Sequence, residues 1–271
     1  MELLTPELMI QIEEAEKNCW ISYLSGVENI PGNPLGVVIS SVGSLTAFLV
    51  KQSDSLFFNK ALGIGLEHIE HLDDLLAFYH SNEKACTVET FPLPEYNEVY
   101  LSLAMKGLYS SEYTSMSFMN LRDYSKAEIT NNIEIKPVSI SELDILSDLH
   151  VLGFGFQGEE LEKERTIVKA GYSDSKFKCY FAYINGETAA TGVLFKYKNI
   201  GVLFGGATLP EFRGKGCQTA LLHHRIVIAK KLGCDKLISH TNIYSPSFRN
   251  LERVGFKLAS NRSRWTDYPI Y

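Results

Sequence analysis

No C-x-x-C pair occurs in the chain, and its five cysteines (Cys19, Cys86, Cys179, Cys217, Cys234) are odd in number and widely spaced. That pattern excludes a disulfide framework and a zinc-thiolate site and fits a reducing compartment. No uninterrupted apolar run approaches the roughly 18 residues of a membrane span, and the first stretch, MELLTPELMIQIEEAEKN, is acidic where a secretory signal would be basic. A cytoplasmic location is the expectation. Positive charge is not in excess either: 26 Lys and Arg face 32 Asp and Glu, a net charge of -6, which argues against a surface built as a nucleic-acid or anionic-membrane footprint. Hydrophobic residues at 45% and charged residues at 21% are ordinary for a folded globular chain, so disorder is also a poor explanation.

The charge is unevenly placed. Up to Asn132 there are 7 basic and 18 acidic residues; from Ile133 onward there are 19 basic and 14 acidic. Between Phe204 and Arg264, 11 basic residues accompany only Glu211, Asp235 and Glu252, so one segment is equipped to hold an anion. The polar stretch Arg122–Asn132 separates the two regions. With 271 residues and roughly 100 to 200 residues per domain, the reading is two domains, 1–130 and 131–271.

Hydrophobic periodicity assigns the elements. Thr5 to Leu24 starts with Thr-Pro-Glu and carries Leu8, Ile12 and Ala15 on one helical face. Short strands or half-buried segments follow at Val37–Ile39, Ser44–Val50 and Leu56–Leu66. Then come a helix over Ile69–Tyr79, a strand over Ala85–Phe91, a helix over Tyr96–Met105 and a strand over Tyr113–Leu121. Beyond the linker, a strand (Ile133–Val138) precedes two helices (Ser141–Leu152, Glu159–Ala170). Phe177–Ile184 and Thr188–Tyr197 are joined by Asn185-Gly186, whose tolerance of positive φ marks a two-residue hairpin turn. Val202–Thr208 extends the meander. The period then lengthens for a helix ending at Gly233, followed by a strand (Lys236–Thr241), a helix (Ser245–Val254) and a last strand (Phe256–Trp265). The class is α/β (α+β), a mixed and mostly antiparallel sheet flanked by helices.

Arg213-Gly214-Lys215-Gly216 stands between a strand and the N-terminus of an amphipathic helix. The first amides of a helix lack intrahelical acceptors and lie at the positive end of its dipole, and glycine lets a phosphate come close to the backbone. Such a turn can cradle a pyrophosphate or simply cap a helix. It is neither a Walker loop nor a Rossmann fingerprint, because the spacing G-x-x-x-x-G-K-[ST] is absent and the preceding strand belongs to an antiparallel meander.

Taken with RNLERVGF, the segment ATLPEFRGKGCQTALL resembles the Gcn5-related N-acetyltransferase (GNAT) superfamily over about Ile133 to Trp265. The Q/R-x-x-G-x-G/A signature is met by Arg213 and Gly216 but not by Gln218, which stands where the last Gly or Ala is usual, so altered rather than lost cofactor contacts are expected there. The resemblance implies the acyl-CoA N-acyltransferase fold, in which two central strands splay and the pantetheine arm of acetyl-CoA fills the gap. Carried over by position, Ala207, Thr208 and Leu209 would bond the pantetheine through the backbone. The amides from Arg213, Gly214, Lys215, Gly216, Cys217 and Gln218 to Thr219 would hold the pyrophosphate. Asn242, Ser247 and Asn250 are further polar contacts, or plain strand-end and capping residues. The implied reaction is direct attack of a neutral amine on the thioester. The tyrosine that protonates the thiolate in many relatives is replaced by Leu251, which leaves Tyr244 and His240 as the nearest titratable substitutes, or as packing residues with water in that role.

His223-His224 have no matching carboxylate or cysteine spacing, so no metal site is expected and a solvated helix face is the reading. Cys217 sits where a helix N-terminus can lower a thiol pKa, or is a small helix-starting residue. Gly153-Phe154-Gly155-Phe156 falls where relatives place the acceptor pocket, or is a plain glycine-rich loop with buried aromatics. In the N-terminal half, Gly107 matches Gly255 at a spacing of 148 residues, and Thr87–Phe91 falls in register with Lys236–His240, a partial internal repeat. That half reads as a degenerate GNAT-like lobe in a tandem, two-lobed arrangement. Its Lys60-Ala61-Leu62-Gly63-Ile64-Gly65 lacks basic surroundings and reads as a glycine-containing strand or turn. The expected activity is N-acetyl transfer from acetyl-CoA, without a metal, to an amine, a small molecule rather than a protein, and without nucleic acid or membrane partners. The alternative is a non-catalytic acyl-CoA-binding or sensing module.

Overall fold

The computed structural model describes residues 5–43, 45–91, 96–125 and 132–268. In chain order the elements are α1 (Pro6–Glu28), β1 (Val37–Val42), β2 (Leu45–Val50), β3 (Lys60–Leu62), α2 (Leu72–His80), β4 (Thr87–Thr90), α3 (Asn97–Met105) and β5 (Tyr109–Asn120). They continue with β6 (Ile133–Pro137), α4 (Leu143–Phe154), α5 (Gly158–Gly171), β7 (Phe177–Ile184), β8 (Glu187–Tyr197) and β9 (Ile200–Thr208). The last are α6 (Cys217–Lys231), β10 (Lys236–Thr241), α7 (Pro246–Val254) and β11 (Lys257–Thr266).

Local chemistry sets most of these limits. Thr5 caps α1 by accepting from the Leu8 N–H, with Pro6 in the first turn, where a missing N–H costs nothing. Ser245 and Pro246 start α7 in the same way, and Gly255 ends it at φ 103°, a left-handed conformation that favours glycine. Asn185 and Gly186 both adopt positive φ (52° and 85°), as their hairpin turn requires. The expected strand over Leu56–Leu66 is reduced to Lys60–Leu62, because Leu66–His71 winds into a 3₁₀ turn leading to α2. The expected start of α4 at Ser141 also moves. Ser139 and Glu142 close a capping pair around a 3₁₀ turn, and the α-helix begins at Leu143.

The compact units are not 1–130 and 131–271. One is built from 3–115 and 260–271, the other from 116–259. The reason lies in β5 and β11: each begins in one unit and ends in the other, so the chain changes units inside a strand rather than in the polar stretch. Of that stretch, residues 126–131 lie outside the described residues.

Each unit repeats one topology. In the N-terminal unit the sheet order is β1-β2-β3-β4-β11, with β3 and β4 parallel. In the C-terminal unit it is β6-β7-β8-β9-β10-β5, with β9 and β10 parallel. The other registered pairs, β1–β2, β2–β3, β4–β11, β6–β7, β7–β8 and β8–β9, are antiparallel. The expected mixed, mostly antiparallel sheet flanked by helices is the one observed. Leu222, Ile226 and Ala229 of α6 pack with Leu237, Leu251 and Phe256, and each buried large side chain there contributes about 2 kcal/mol of hydrophobic stabilisation.

Candidate functional site

The parallel pairing of β9 with β10 runs from Ile200↔Lys236 to Leu203↔Ser239. Both strands continue past that point, β9 to Thr208 and β10 to Thr241, outside the paired register. On its other edge β9 slips against β8. Val193 faces Phe204, Thr191 faces Ala207, and the irregularity is a bulge across Gly192 and Gly205-Gly206. The C-terminal unit therefore has a parallel strand pair that parts beside a bulge.

The turn after β9 delivers the helix start. Gly214 has φ 75° with open space where a Cβ would stand, and Gly216 is the N-cap of α6 at φ 90°. No side chain caps α6, and its first turn carries no acidic residue. The amides of Cys217, Gln218 and Thr219 thus have no intrahelical acceptor, at the positive end of a fifteen-residue helix. Lys215 is exposed, with its ammonium 4.9 Å from the centre of the Phe212 ring. A carbon at Gly216 would carry a side chain into a backbone conformation that L-residues rarely adopt. These features fit a bound phosphate. The Cys217 thiol is buried, and burial raises its pKa despite Lys215 nearby, so the helix N-terminus does not produce a reactive thiolate.

Arg213 turns away from the helix start. Its guanidinium donates to the Gly153 carbonyl at 2.8 Å and its Nε to the Thr208 carbonyl at 3.4 Å. Gly153 lies hard against the strand end, where an added Cβ would sit 2.9 Å from Ala207 Cβ and 3.1 Å from Thr208 N. This places the Gly153–Phe156 segment beside Ala207 and Thr208. Gln218 is also committed: its amide donates to Ala207 O (2.9 Å), Thr208 Oγ1 (3.0 Å) and Thr191 O (3.2 Å). The Leu209 N–H is bonded to Ala189 O. Ala207, Thr208, Arg213 and Gln218 are thus knit into one strand-end cluster, with Arg213 and Gln218 spending donors on the protein itself.

At the start of α7, Asn242 and Ser247 are exposed and Asn250 is half-buried, accepting from Arg253 at 3.1 Å. Tyr244 is 76% exposed at φ 63° on the turn leaving β10, and His240 is half-buried near the end of that strand. Leu251 is buried among Ile226, Leu237 and Phe256, a packing residue. The expected solvated face at His223-His224 is not found. His223 is buried and bonded to the Tyr124 hydroxyl (2.8 Å), His224 packs edge-on to Tyr180, and burial lowers both pKa values. Among the described residues, no group of three His, Cys, Asp or Glu side chains could hold a metal, and no helix is long and apolar enough to cross a membrane.

Three side chains around the bulge escaped the sequence reading. Tyr172, at the end of α5, is buried with its hydroxyl at Gly205, where an added Cβ would lie 2.0 Å from the oxygen. His150 of α4 stacks near Tyr172 and Phe154, and burial lowers its pKa to about 4, so it is neutral at pH 7. Arg225 of α6 is buried against Gly192, whose missing side chain makes room for the guanidinium. It donates to Leu221 O at 3.2 Å and Val193 O at 3.0 Å. The signals were the glycines at 192, 205 and 206 inside strands, which mark close approach of other groups.

The corresponding turn of the N-terminal unit is closed. Lys60 is buried and bonded to Glu89 through both carboxylate oxygens at 3.2 Å. The Gly65 N–H donates to His68 Nδ1 at 2.7 Å, and Glu67 occupies the first turn after it. An acidic group and a satisfied donor at that position disfavour an anion.

Residues 143–256 match the model of the acetyltransferase (GNAT) family. Among solved structures, a GCN5-related N-acetyltransferase from Kribbella flavida superposes with a TM-score of 0.69 at 12% identity, over 96% of each chain. A conserved protein of unknown function from Staphylococcus epidermidis gives 0.63 at 11% identity, over 90% of this chain and 98% of that one. A tandem GNAT protein from the clavulanic acid biosynthesis pathway gives 0.63 at 10% identity, over 92% of this chain and 89% of that one. At such identities the likeness establishes the fold. No curated protein matches the sequence.

Proposed function

The C-terminal part of the chain belongs to the GNAT superfamily and carries its acyltransferase fold, and from that premise we propose an N-acetyltransferase that moves the acetyl group of acetyl-CoA to an amine by direct attack. The observation that carries the reading is the parting of β9 from β10 after Leu203↔Ser239, next to a helix start with neither side-chain cap nor acidic residue. In this reading the pantetheine lies along the free edge of β9 and the phosphates on the amides of Gly216 to Thr219. Lys215 adds positive charge without an acidic neighbour in the first turn. Arg213 holds the Gly153 segment to the strand end, so it shapes the gap from the acceptor side. The acetyl group would meet an amine brought in past Gly153–Phe156, and holding both reactants in one orientation supplies most of the acceleration.

Calorimetric titration with acetyl-CoA, beside desulfo-CoA and free CoA, tests the binding half, and release of free thiol in the presence of an amine panel tests the transfer half. Binding without amine-dependent thiol release would favour the sensing module, whose support is the buried Leu251 at the expected acid position. Absence of binding would leave Arg213–Gly216 as a capping turn.

A further inference from the structure

Two glycines lie in the β8–β9 bulge, and each cedes its side-chain space to a polar group. At Gly205 the group is the Tyr172 hydroxyl; at Gly192 it is the Arg225 guanidinium, whose Cζ would be 2.9 Å from an added Cβ. Gly205, with φ 53°, lies two residues beyond Leu203, where β9 leaves β10. The Tyr172 hydroxyl therefore stands where the strands begin to part. Arg225 is a cation with no carboxylate partner among the described residues; its hydrogen bonds go to backbone carbonyls, and the titratable groups it faces include Tyr172, Tyr180 and His224. Burial lowers the guanidinium to about 10, so it stays charged at neutral pH. An uncompensated buried cation is costly, and the tyrosines are what it acts upon.

We propose that Tyr172 is a catalytic hydrogen-bond donor to the thioester carbonyl oxygen and that Arg225, seated at the other glycine of the bulge, is its positioning residue. This rests on the acyl-transfer reading of the same site. In the step, the amine lone pair attacks the carbonyl carbon and the carbonyl pair moves to oxygen, where the Tyr172 O–H donates to it. The pair then re-forms the carbonyl as the C–S bond breaks. The electrons leave with sulfur as thiolate, and the proton shed by nitrogen ends on that sulfur through solvent. Tyr172 keeps its proton throughout, so the step fails above the pKa of its hydroxyl. A neighbouring cation favours the phenolate and lowers that pKa; removing the cation raises it. The groups around Tyr172 include the rings of His150 from α4, Phe177 from β7 and Phe204 from β9, and His150 titrates too low to mimic the alkaline limb.

The experiment uses the full chain with acetyl-CoA and spermidine as probe amine, following thiol release from pH 6 to 10, with calorimetric affinity for acetyl-CoA measured on each variant. Tyr172→Phe keeps the ring in place; it should hold affinity within about threefold, lower kcat at least tenfold and abolish the alkaline limb. Arg225→Met should move that limb up by about one pH unit, and Arg225→Lys should restore it. The ring-carbon NMR titration of Tyr172, assigned by its absence in Tyr172→Phe, should shift with the limb and respond to acetyl-CoA. Wild-type protein that binds acetyl-CoA while Tyr172→Phe leaves kcat and the limb unchanged overturns the inference alone. Wild-type protein that neither binds acetyl-CoA nor releases thiol overturns the transferase reading, and this inference with it.

Discussion

Replacing Glu89 with glutamine tests whether the N-terminal unit is held by the charge network that fills its parallel strand pair. The Glu89 carboxylate accepts from Lys60 Nζ at 3.2 Å, Arg262 Nη1 at 3.2 Å and Arg264 Nη2 at 2.8 Å and Nε at 3.2 Å. Arg262 also pairs with Glu16 of α1, and Arg264 with Glu112 of β5. The side chains of Lys60, Arg262, Glu16 and Glu89 are each about 4 to 6% exposed, so little water screens them. Glu89 is the carboxylate that all three cations contact, with Glu16, Glu112 and Glu13 at the edges of the group, so the amide leaves buried positive charge uncompensated. Removing one partner of such a group costs about 3 to 5 kcal/mol. With a urea dependence near 2 kcal/mol/M, the unfolding midpoint should fall by roughly 2 M. Glu112→Gln is the control, since that carboxylate contacts the same Arg264 but is 41% exposed, and it should cost no more than about 1 kcal/mol. Burial alone would raise the Glu89 pKa, but Lys60, Arg262 and Arg264 override it and hold the group well below the usual carboxylate range. A folded-state pKa below the unfolded one means that its contribution is complete above about pH 4.3 and drains as pH falls from there. The gap between wild type and Glu89→Gln should therefore be open at neutral pH and narrow in acid. A loss below about 1 kcal/mol at pH 7 would refute the reasoning, because it would make the buried charges nearly independent of one another.

Glu13 carries the opposite sign: burial, with Glu16 adding and Arg262 opposing, raises its pKa to about 7. The unfolded chain sheds this proton between about pH 4.5 and 7 while the folded chain keeps it, so stability falls across that window, by up to about 3 kcal/mol. Glu13→Gln should therefore melt above wild type at pH 8 and lose that advantage by pH 4. Arg213→Ala combined with Gly216→Glu should abolish acetyl-CoA binding in calorimetry with the circular dichroism spectrum retained; unchanged affinity would mean the helix start is not the phosphate site. Gln218→Ala removes three donations to the strand end and should cost about 1 to 3 kcal/mol in chemical unfolding, with acetyl-CoA affinity kept within about threefold; a tenfold loss would mean the amide reaches the cofactor. Titration of the full chain should give one acetyl-CoA per chain, and a second equivalent would overturn the reading of the Lys60–Gly65 turn.

The parts of the fold written in local chemistry were legible: the Thr5 and Ser245 caps, the Asn185-Gly186 turn, and helix ends at Gly233 and Gly255. The hidden parts depend on partners distant in sequence. Lys60 interrupts an apolar run, yet it is buried, because Glu89 pairs with its ammonium and the centre of the Trp20 ring lies 4.2 Å from it. Arg225 on α6 reads as part of a polar helix face until Gly192, 33 residues earlier, is seen to make room for it. His223 was misjudged for the same reason, since Tyr124 comes from another element. The unit boundary escaped because β5 and β11 show ordinary strand alternation across the point where the chain changes units, and periodicity reports an element without naming its neighbours. For the site, the glycine-rich turn located the helix start, but not where its side chains point: Arg213 matched the signature, Gln218 departed from it, and both are tied to the end of β9.

The two helix starts show why one topology need not carry one chemistry twice. Both follow a strand of a parallel pair, and both are preceded by glycines, at 63 and 65 in one unit and at 214 and 216 in the other. After Gly65, His68 takes the amide hydrogen bond and Glu67 brings negative charge to the first turn. Ahead of it, Lys60 is locked to Glu89. After Gly216 no side chain intrudes, the first turn has no acidic residue, and Lys215 is exposed. A phosphate at the first start would have to displace a 2.7 Å hydrogen bond and approach a carboxylate, whereas at the second it meets free amides. The charge difference between the halves of the sequence follows the same division. The acidic N-terminal part pairs Lys60, Lys84 and Lys106 with Glu89, Asp54 and Asp73, while the basic segment from Phe204 keeps Lys215 beside an uncapped helix. An anion-binding turn is thus selected less by its glycines than by the absence of competing donors, acceptors and acidic side chains in the turn that follows.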